Sequence, residues 1–433
     1  MYLKFLIGCL TIASLAQAQT SKTLQSNTDR MAAGIENKMI NWRRDFHEHP
    51  ELSNREVRTA EIVAKHLRSL GIEVTEKVAH TGVVGLLKTG KPGPVVALRA
   101  DMDALPVTER NTLPFASKVK TVFNDKETGV MHACGHDAHV AILMAAAEIL
   151  TLNKAALKGT IKFIFQPAEE GAPAGEEGGA SLMVKEGVLL NPKVDATFGL
   201  HVRSISKLGT IEYKPGGFMA AADWFTIHVK GKQAHGAAPW KGIDPIVVSA
   251  QIINGLQTII SRQTNLTKEA AVITVGRINA GIRENIIPED AVMAGTIRTL
   301  DTAMQKDIHQ RIRNTAQHIA ESAGATATVT FDLKTPVTYN DPVLTEKMLP
   351  ALQRAAGAQN VIRIPADTGA EDFAYYLQKI PGMFFFVGAC PPNLNADQVP
   401  SHHTPDFMMD EGSMIIGLKA LLNVTTDFLS MQK

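Results

Sequence analysis

Cysteine is scarce in this 433-residue chain: three residues, at positions 9, 134 and 390. Three thiols make at most one intramolecular disulfide, which excludes a disulfide-stapled scaffold. An excess of one charge is also missing, with 44 Lys and Arg against 43 Asp and Glu. Without a basic surplus there is no electrostatic footprint for a phosphate backbone, and nucleic acid is excluded as a partner. No internal repeat is present, and no apolar run after the first 18 residues is long enough to span a bilayer. Four catalytic signatures are missing too: the GxSxG elbow, the GxxxxGK[ST] phosphate loop, a GxGxxG after a strand, and HExxH. What is there is 45% apolar residues and 14 histidines. That supports an ample core in a soluble globular chain, and the length suits two domains or one large domain with an insert.

The N-terminus reads as a targeting segment. Lys4 precedes an uncharged run from Phe5 to Ala16, and Ala16-Gln17-Ala18 offers small residues where a signal peptidase cuts. The pattern predicts a secretory signal over residues 1–18, cleavage after Ala18, and export to a periplasm or the outside. A lipobox-like Leu6-Ile7-Gly8-Cys9 is the lesser reading, since it leaves too short an apolar run.

Periodicity then predicts helices over 31–47 (Met31, Ile35, Met39, Trp42, Phe46) and 55–70, the latter ended by Gly71. Short apolar runs at Val83–Leu87, Val95–Arg99, Thr160–Phe165 and Ala196–His201 read as strands, and Val140–Leu150 as an apolar helix. The expected fold class is α/β, with a mixed, largely parallel sheet flanked by helices. Residues 214–333 follow a different plan: strand 223–230, helix 243–260, strands 271–278 and 291–300, a helix capped by Asp301, and strand 325–333. This βαββαβ order is that of a ferredoxin-like α+β domain. A helix over 343–357, another over 370–378 and a strand over 383–387 resume the first pattern. The expected organisation is a catalytic domain over 31–213 and 334–433, split by an inserted domain over 214–333.

In parallel sheets chemistry gathers at the carboxyl ends of strands. Three clusters stand there. Arg99-Ala100-Asp101-Met102-Asp103 places two carboxylates past one strand, where helix capping or a salt bridge is the ordinary explanation. His132-Ala133-Cys134-Gly135-His136-Asp137-Ala138-His139 packs a thiol, imidazoles and a carboxylate into eight residues, a density that favours a borderline metal over isolated structural roles. Glu169-Glu170 follows the strand at 160–165 and repels itself unless a cation or shared proton compensates. The pair Glu176-Glu177, in a Gly- and Ala-rich stretch, reads as a solvated loop. Single histidines recur at His201 and in His402-His403-Thr404-Pro405.

In order along the chain, these clusters resemble the metal-dependent amidohydrolases that include hippurate hydrolase, N-acyl-amino-acid deacylases and indole-3-acetyl-amino-acid hydrolases, relatives of the co-catalytic zinc exopeptidases. The matching pieces include Arg43-Arg44-Asp45-Phe46-His47, Pro50-Glu51-Leu52, Ala234-His235-Gly236-Ala237-Ala238-Pro239, Gly369-Ala370-Glu371-Asp372-Phe373 and His403-Thr404-Pro405, beside the three clusters above. The resemblance implies two divalent metal ions (Zn, Mn, Co or Ni) held by Cys134, His136, Glu170, His201 and His403. It implies Glu169 as general base and acid on the attacking water, and Asp103 as an acid supporting a ligand from behind. It implies that His235 steadies the oxyanion in a partner subunit, so the protein is a homodimer, and that Asn285 and Arg298 bind a substrate carboxylate. His403 is preferred to His402 because Thr-Pro follows it. The implied substrate is an N-acyl amino acid or short peptide. The rivals are a dipeptidase or carboxypeptidase, a non-catalytic binding relative, and a cysteine hydrolase using Cys134. The stretch after Glu170 is longer than the usual loop of this family, which puts the acyl specificity in doubt. Cys390 is left as a spare thiol.

Overall fold

The computed structural model describes residues 27–431, so the expected signal at 1–18 and Cys9 lie outside the described residues. The chain divides into two compact units. The first comprises the chain up to Tyr213, Asp341–Ile364, and the chain from Tyr376 onward.

Its centre is an eight-stranded sheet in the spatial order Glu73–Val78, Gly82–Lys88, Thr160–Gln166, Val95–Asp101, Ala196–Lys207, Gly382–Cys390, Ile211–Tyr213, Val361–Arg363. The third to sixth of these run parallel to one another. Antiparallel pairings flank them at Gly82–Lys88 and Ile211–Tyr213. Parallel strands covered on both faces read as unbroken apolar runs, and Gly382–Cys390 is buried along its whole length. The helices His136–Leu152 and Gly412–Ser430 pack on each other and on the central strands. Residues 27–48 form the first helix. The second, Val57–Ser69, ends at Gly71, whose positive φ of 73° permits the closing turn.

The second unit comprises Lys214–Asn340 and Pro365–Tyr375. Its sheet has four antiparallel strands in the order Ala271–Ala280, Asp290–Thr299, Ala221–Lys230, Thr326–Thr335. The helices Pro245–Thr258 and Thr302–Ser322 bury Ile252, Leu256, Ile308 and Ile312 with Phe225, Ile227, Met293 and Ile297 of the sheet. In chain order the elements run βαββαβ, the split-βαβ plan. The unit takes in more chain than residues 214–333. Thr338–Asn340 pairs with Gly216–Met219, and Ala220 N–H donates to the carbonyls of Asp367 and Gly369. The helix expected over 370–378 contracts to Ala374–Leu377. Glu371 takes Phe373 N–H on its own carboxylate at 2.8 Å, a local bond that competes with helix start.

Asp301 accepts Met304 N–H at 2.8 Å and caps Thr302–Ser322. Asp301→Ala is expected to lower stability by about 1 kcal/mol, read as a shift in a urea unfolding midpoint. Among the described residues, no helix is long and apolar enough to cross a membrane.

Candidate metal centre

The first unit gathers its polar side chains at the carboxyl ends of the central strands. Cys134 and His136 flank Gly135 at the start of the helix His136–Leu152. Gly135 has φ +91°, and a Cβ there would stand 2.4 Å from Val202 Cγ2, so only glycine lets the two ligand candidates turn toward one point. Glu169 and Glu170 follow Thr160–Gln166 through Ala168, which holds a positive φ of 52°. His201 lies within Ala196–Lys207, and His403, φ 65°, in the loop before the last helix.

These atoms converge. Cys134 Sγ stands 3.3 Å from His201 Nε2 and 3.3 Å from His403 Nε2. His403 Nε2 is 3.1 Å from Glu170 Oε1. His136 Nε2 is 3.9 Å from Glu169 Oε2 and 4.0 Å from Glu170 Oε1, buried and without a hydrogen-bond partner. Three overlapping groups result, Cys134-His136-His201, Cys134-Glu170-His403 and His136-Glu169-Glu170, each with ligand atoms within 4.8 Å of one another. Crowded lone pairs of sulfur, nitrogen and oxygen, one of them orphaned and buried, fit borderline divalent cations.

The opposite ring nitrogens distinguish the histidines. His201 Nδ1 donates to the Val202 carbonyl at 2.6 Å, and His136 Nδ1 to the Asp103 carbonyl at 2.8 Å, which leaves each Nε2 free to ligate. His402 is turned the other way. Its Nε2 accepts Ser204 N–H at 3.1 Å, so the proton sits on Nδ1, 3.7 Å from Cys134 Sγ. Burial, then the neighbouring His403, push His402 down to about 3, so its ring is neutral. His139 has both nitrogens occupied, by Asp101 Oδ1 at 2.6 Å and by Val202 N–H at 2.9 Å. Asp137 faces away, toward Arg43 Nε and His47 Nδ1, each at 2.8 Å.

Asp103 is buried beneath the acids. Its two oxygens accept Glu169 N–H and Glu170 N–H, each at 3.0 Å, and one also accepts the Ser53 hydroxyl at 2.7 Å. Its grip on His136 runs through its own peptide carbonyl, with the carboxylate 3.4 Å from the ring. Burial raises the Cys134 thiol well above its ordinary value, and the charge of Glu170 adds to this. A divalent cation reverses that preference, because it stabilises the thiolate.

The remaining candidates belong to the second unit. His235 sits in the short strand Ala234–His235, paired with Ile286–Ile287. Its Nδ1 accepts Ala237 N–H at 3.0 Å, which puts the ring proton of the neutral form on Nε2. His235 and Asn285 line one cavity with Gln233, Arg283 and Ile286. Arg298 is not among that lining; it lies on the strand Asp290–Thr299, in register with Ala222 and Val272. Sequence reasoning missed Glu56, and although it marked the Arg43–His47 run and Asp137 it did not connect them with each other. The Gly-rich stretch is solvent-exposed at Glu176 and Glu177, as expected, and Glu176 pairs at that surface with Arg55 at 2.6 Å and Asn54 at 3.0 Å.

Comparison with known proteins decides the family. The profile of peptidase family M20/M25/M40 matches residues 97–427. The chain belongs to this family. It is thereby a metal-dependent hydrolase of amide bonds, in agreement with the resemblance read from the ordered motifs. It is 42% identical over 388 residues to thermostable carboxypeptidase 2 of Saccharolobus solfataricus, covering 89% of this chain and 94% of that one. It is 39% identical over 381 residues to an N-acetyl-L-cysteine deacetylase of Bacillus subtilis, covering 88% and 86%. Among solved structures, the Bacillus subtilis YXEP protein, a dinuclear metal binding peptidase of the M20 family, superimposes with TM-score 0.76 at 36% identity, covering 92% of this chain and all of that one.

Proposed function

We propose that this protein is an exported amidohydrolase that splits the amide bond of N-acyl or aroyl amino acids at a two-metal centre. The observation that carries the reading is the convergence of Cys134, His136, Glu170, His201 and His403 around one point, with Glu169 beside them. The deacetylase relative supports the substrate class. Cys134, His136, Glu170, His201 and His403 would hold two divalent ions, of Zn, Mn, Co or Ni. When bound, such ions polarise an amide carbonyl and lower the pKa of water.

The rest is the work of this chain. Glu169 removes a proton from the attacking water and returns it to the leaving amine nitrogen. Asp103 fixes the peptide that carries Glu169 through the N–H at 3.0 Å. His235 offers an Nε2–H to the oxyanion, in this reading within a partner subunit of a homodimer. Asn285 and Arg298 receive the free carboxylate of the amino acid, Arg298 through its planar fork. The carboxypeptidase relative favours a second reading in which the acyl half is itself an amino acid.

Treatment with a chelator is expected to abolish hydrolysis, and Mn²⁺, Zn²⁺ or Co²⁺ to restore it. A purified, chelator-insensitive enzyme overturns the mechanism. A panel of acyl amino acids against dipeptides and C-terminally extended peptides separates the two readings by kcat/KM. Export is tested by N-terminal sequencing of the mature protein, where an intact Met1 refutes cleavage after Ala18.

A further inference from the structure

Glu56 is a fully buried acid at the start of Val57–Ser69 that the proposed chemistry does not use. Its Oε1 accepts Ala168 N–H at 2.9 Å and Asn54 N–H at 3.0 Å, and its Oε2 pairs with the Thr81 hydroxyl. Ala168 is the residue before Glu169, and it holds the left-handed φ of 52° that a side chain rarely adopts. The next two N–H groups, of Glu169 and Glu170, go to Asp103. Three successive amides of the loop are therefore received by two buried acids from elsewhere in the chain.

We propose that Glu56 is a positioning residue for Glu169, acting by holding Ala168 in its left-handed conformation. A backbone held off its preferred basin persists only where its surroundings over-determine it. The Ala168 dihedrals set the direction in which the chain leaves the strand Thr160–Gln166, and so where the Glu169 side chain points. Asp103 grips the loop after that turn; Glu56 alone receives the amide at the turn. The adjoining residues add a second hold, since Asn54 and Arg55 bind Glu176 on the far side of the Glu pair. The segment 54–56 thus anchors the Glu169-Glu170 loop on both flanks.

The inference rests on the reading of Glu169 as the base, and the experiment separates the two. Glu56→Leu, Glu56→Gln, Thr81→Val and Glu169→Gln are assayed as metal-loaded full-length enzyme on an N-acyl amino acid, with bound metal measured by elemental analysis. Glu56→Leu is expected to keep its metal and KM while kcat falls roughly 100-fold, the usual scale for a misplacement of about 1 Å. Glu56→Gln restores turnover, because its amide oxygen still accepts from Ala168 and its NH₂ donates to Thr81. A Glu56→Leu enzyme with wild-type kcat, or a Gln variant as impaired as Leu, overturns the proposal. If the Leu variant does not fold or loses metal, Thr81→Val decides: a lowered kcat at unchanged metal content supports the positioning role, and wild-type kcat overturns it. An active Glu169→Gln enzyme instead removes the base reading, whereas an inactive one beside a fully active Glu56→Leu enzyme sinks only the positioning.

Discussion

Glu169→Gln is expected to leave a folded protein that binds its metals and its substrate while kcat falls by roughly 10²–10⁴-fold, the contribution of a positioned general base. The amide matches the carboxylate in size, and the backbone N–H at 169 stays on Asp103 at 3.0 Å. What the variant loses is the ability to take a proton. The proposed mechanism gives that task to Glu169 rather than Glu170. Glu170 Oε1 lies 3.1 Å from His403 Nε2 and shares a candidate ligand group with Cys134. Glu169 has its side chain 11% exposed and 3.9 Å from His136 Nε2, at the edge of the same cluster. Because the interaction belongs to the transition state, KM should stay near the wild-type value while kcat and kcat/KM fall together. Steady-state kinetics with elemental analysis of bound metal check this. A variant with near-normal kcat removes Glu169 from the base role. A variant that loses metal shows that Glu169 ligates.

Cys134 and His136 were legible from the density of ligand types across residues 132–139. Glu169 and Glu170 follow a buried strand, which announces itself as the apolar run Phe163-Ile164-Phe165. The periodic helices and the βαββαβ order of the second unit were legible for the same reason. The edge strand Glu73–Val78 was not, because its Glu-Val-Thr-Glu-Lys-Val sequence is mostly solvent-facing and carries no alternating apolar face. The hairpin Lys120–Phe123 with Lys126–Gly129 is polar in the same way. The choice between His402 and His403 rested on the neighbouring Thr-Pro; what occupies His402 Nε2 in the structure is a contact 198 residues distant, from Ser204 N–H. Glu56 was invisible for that reason too, since its partner Ala168 is 112 residues away. Residues that position a catalytic group from another element leave no mark in local spacing.

Arg43→Met is expected to cost about 3–5 kcal/mol of stability, the usual penalty for stripping one partner from a buried ion pair. Arg43 is buried, with Nε 2.8 Å from Asp137 Oδ2 and Nη1 3.1 Å from Glu411 Oε1. His47 completes the group, Nδ1 to Asp137 at 2.8 Å and Nε2 to Glu109 at 3.2 Å. Methionine fills much of the same volume and leaves the Asp137 carboxylate with His47 alone. Burial by itself would raise the Asp137 carboxyl; Arg43 and then His47 overcome it and hold it well below the usual range. A depressed folded value means that this stability is present above the unfolded carboxyl value of about 3.9 and lost as pH falls through the folded one. In the variant burial wins, the folded carboxyl rises, and folding takes up a proton near neutrality. The stability gap between the two proteins should therefore be widest near pH 7 and narrow toward pH 4. Urea unfolding of both, stripped of metal by the same chelator, measures it. Arg44→Met is the control: it loses contacts to the same Glu411, at 2.9 and 2.6 Å, but its side chain is 45% exposed. A solvent-screened pair is worth about 0–1 kcal/mol. Equal losses in the two variants would show that the buried Asp137, which immediately follows His136, does not depend on Arg43. A large loss confined to Arg43→Met ties the first helix, at residues 27–48, to the turn that carries Cys134 and His136.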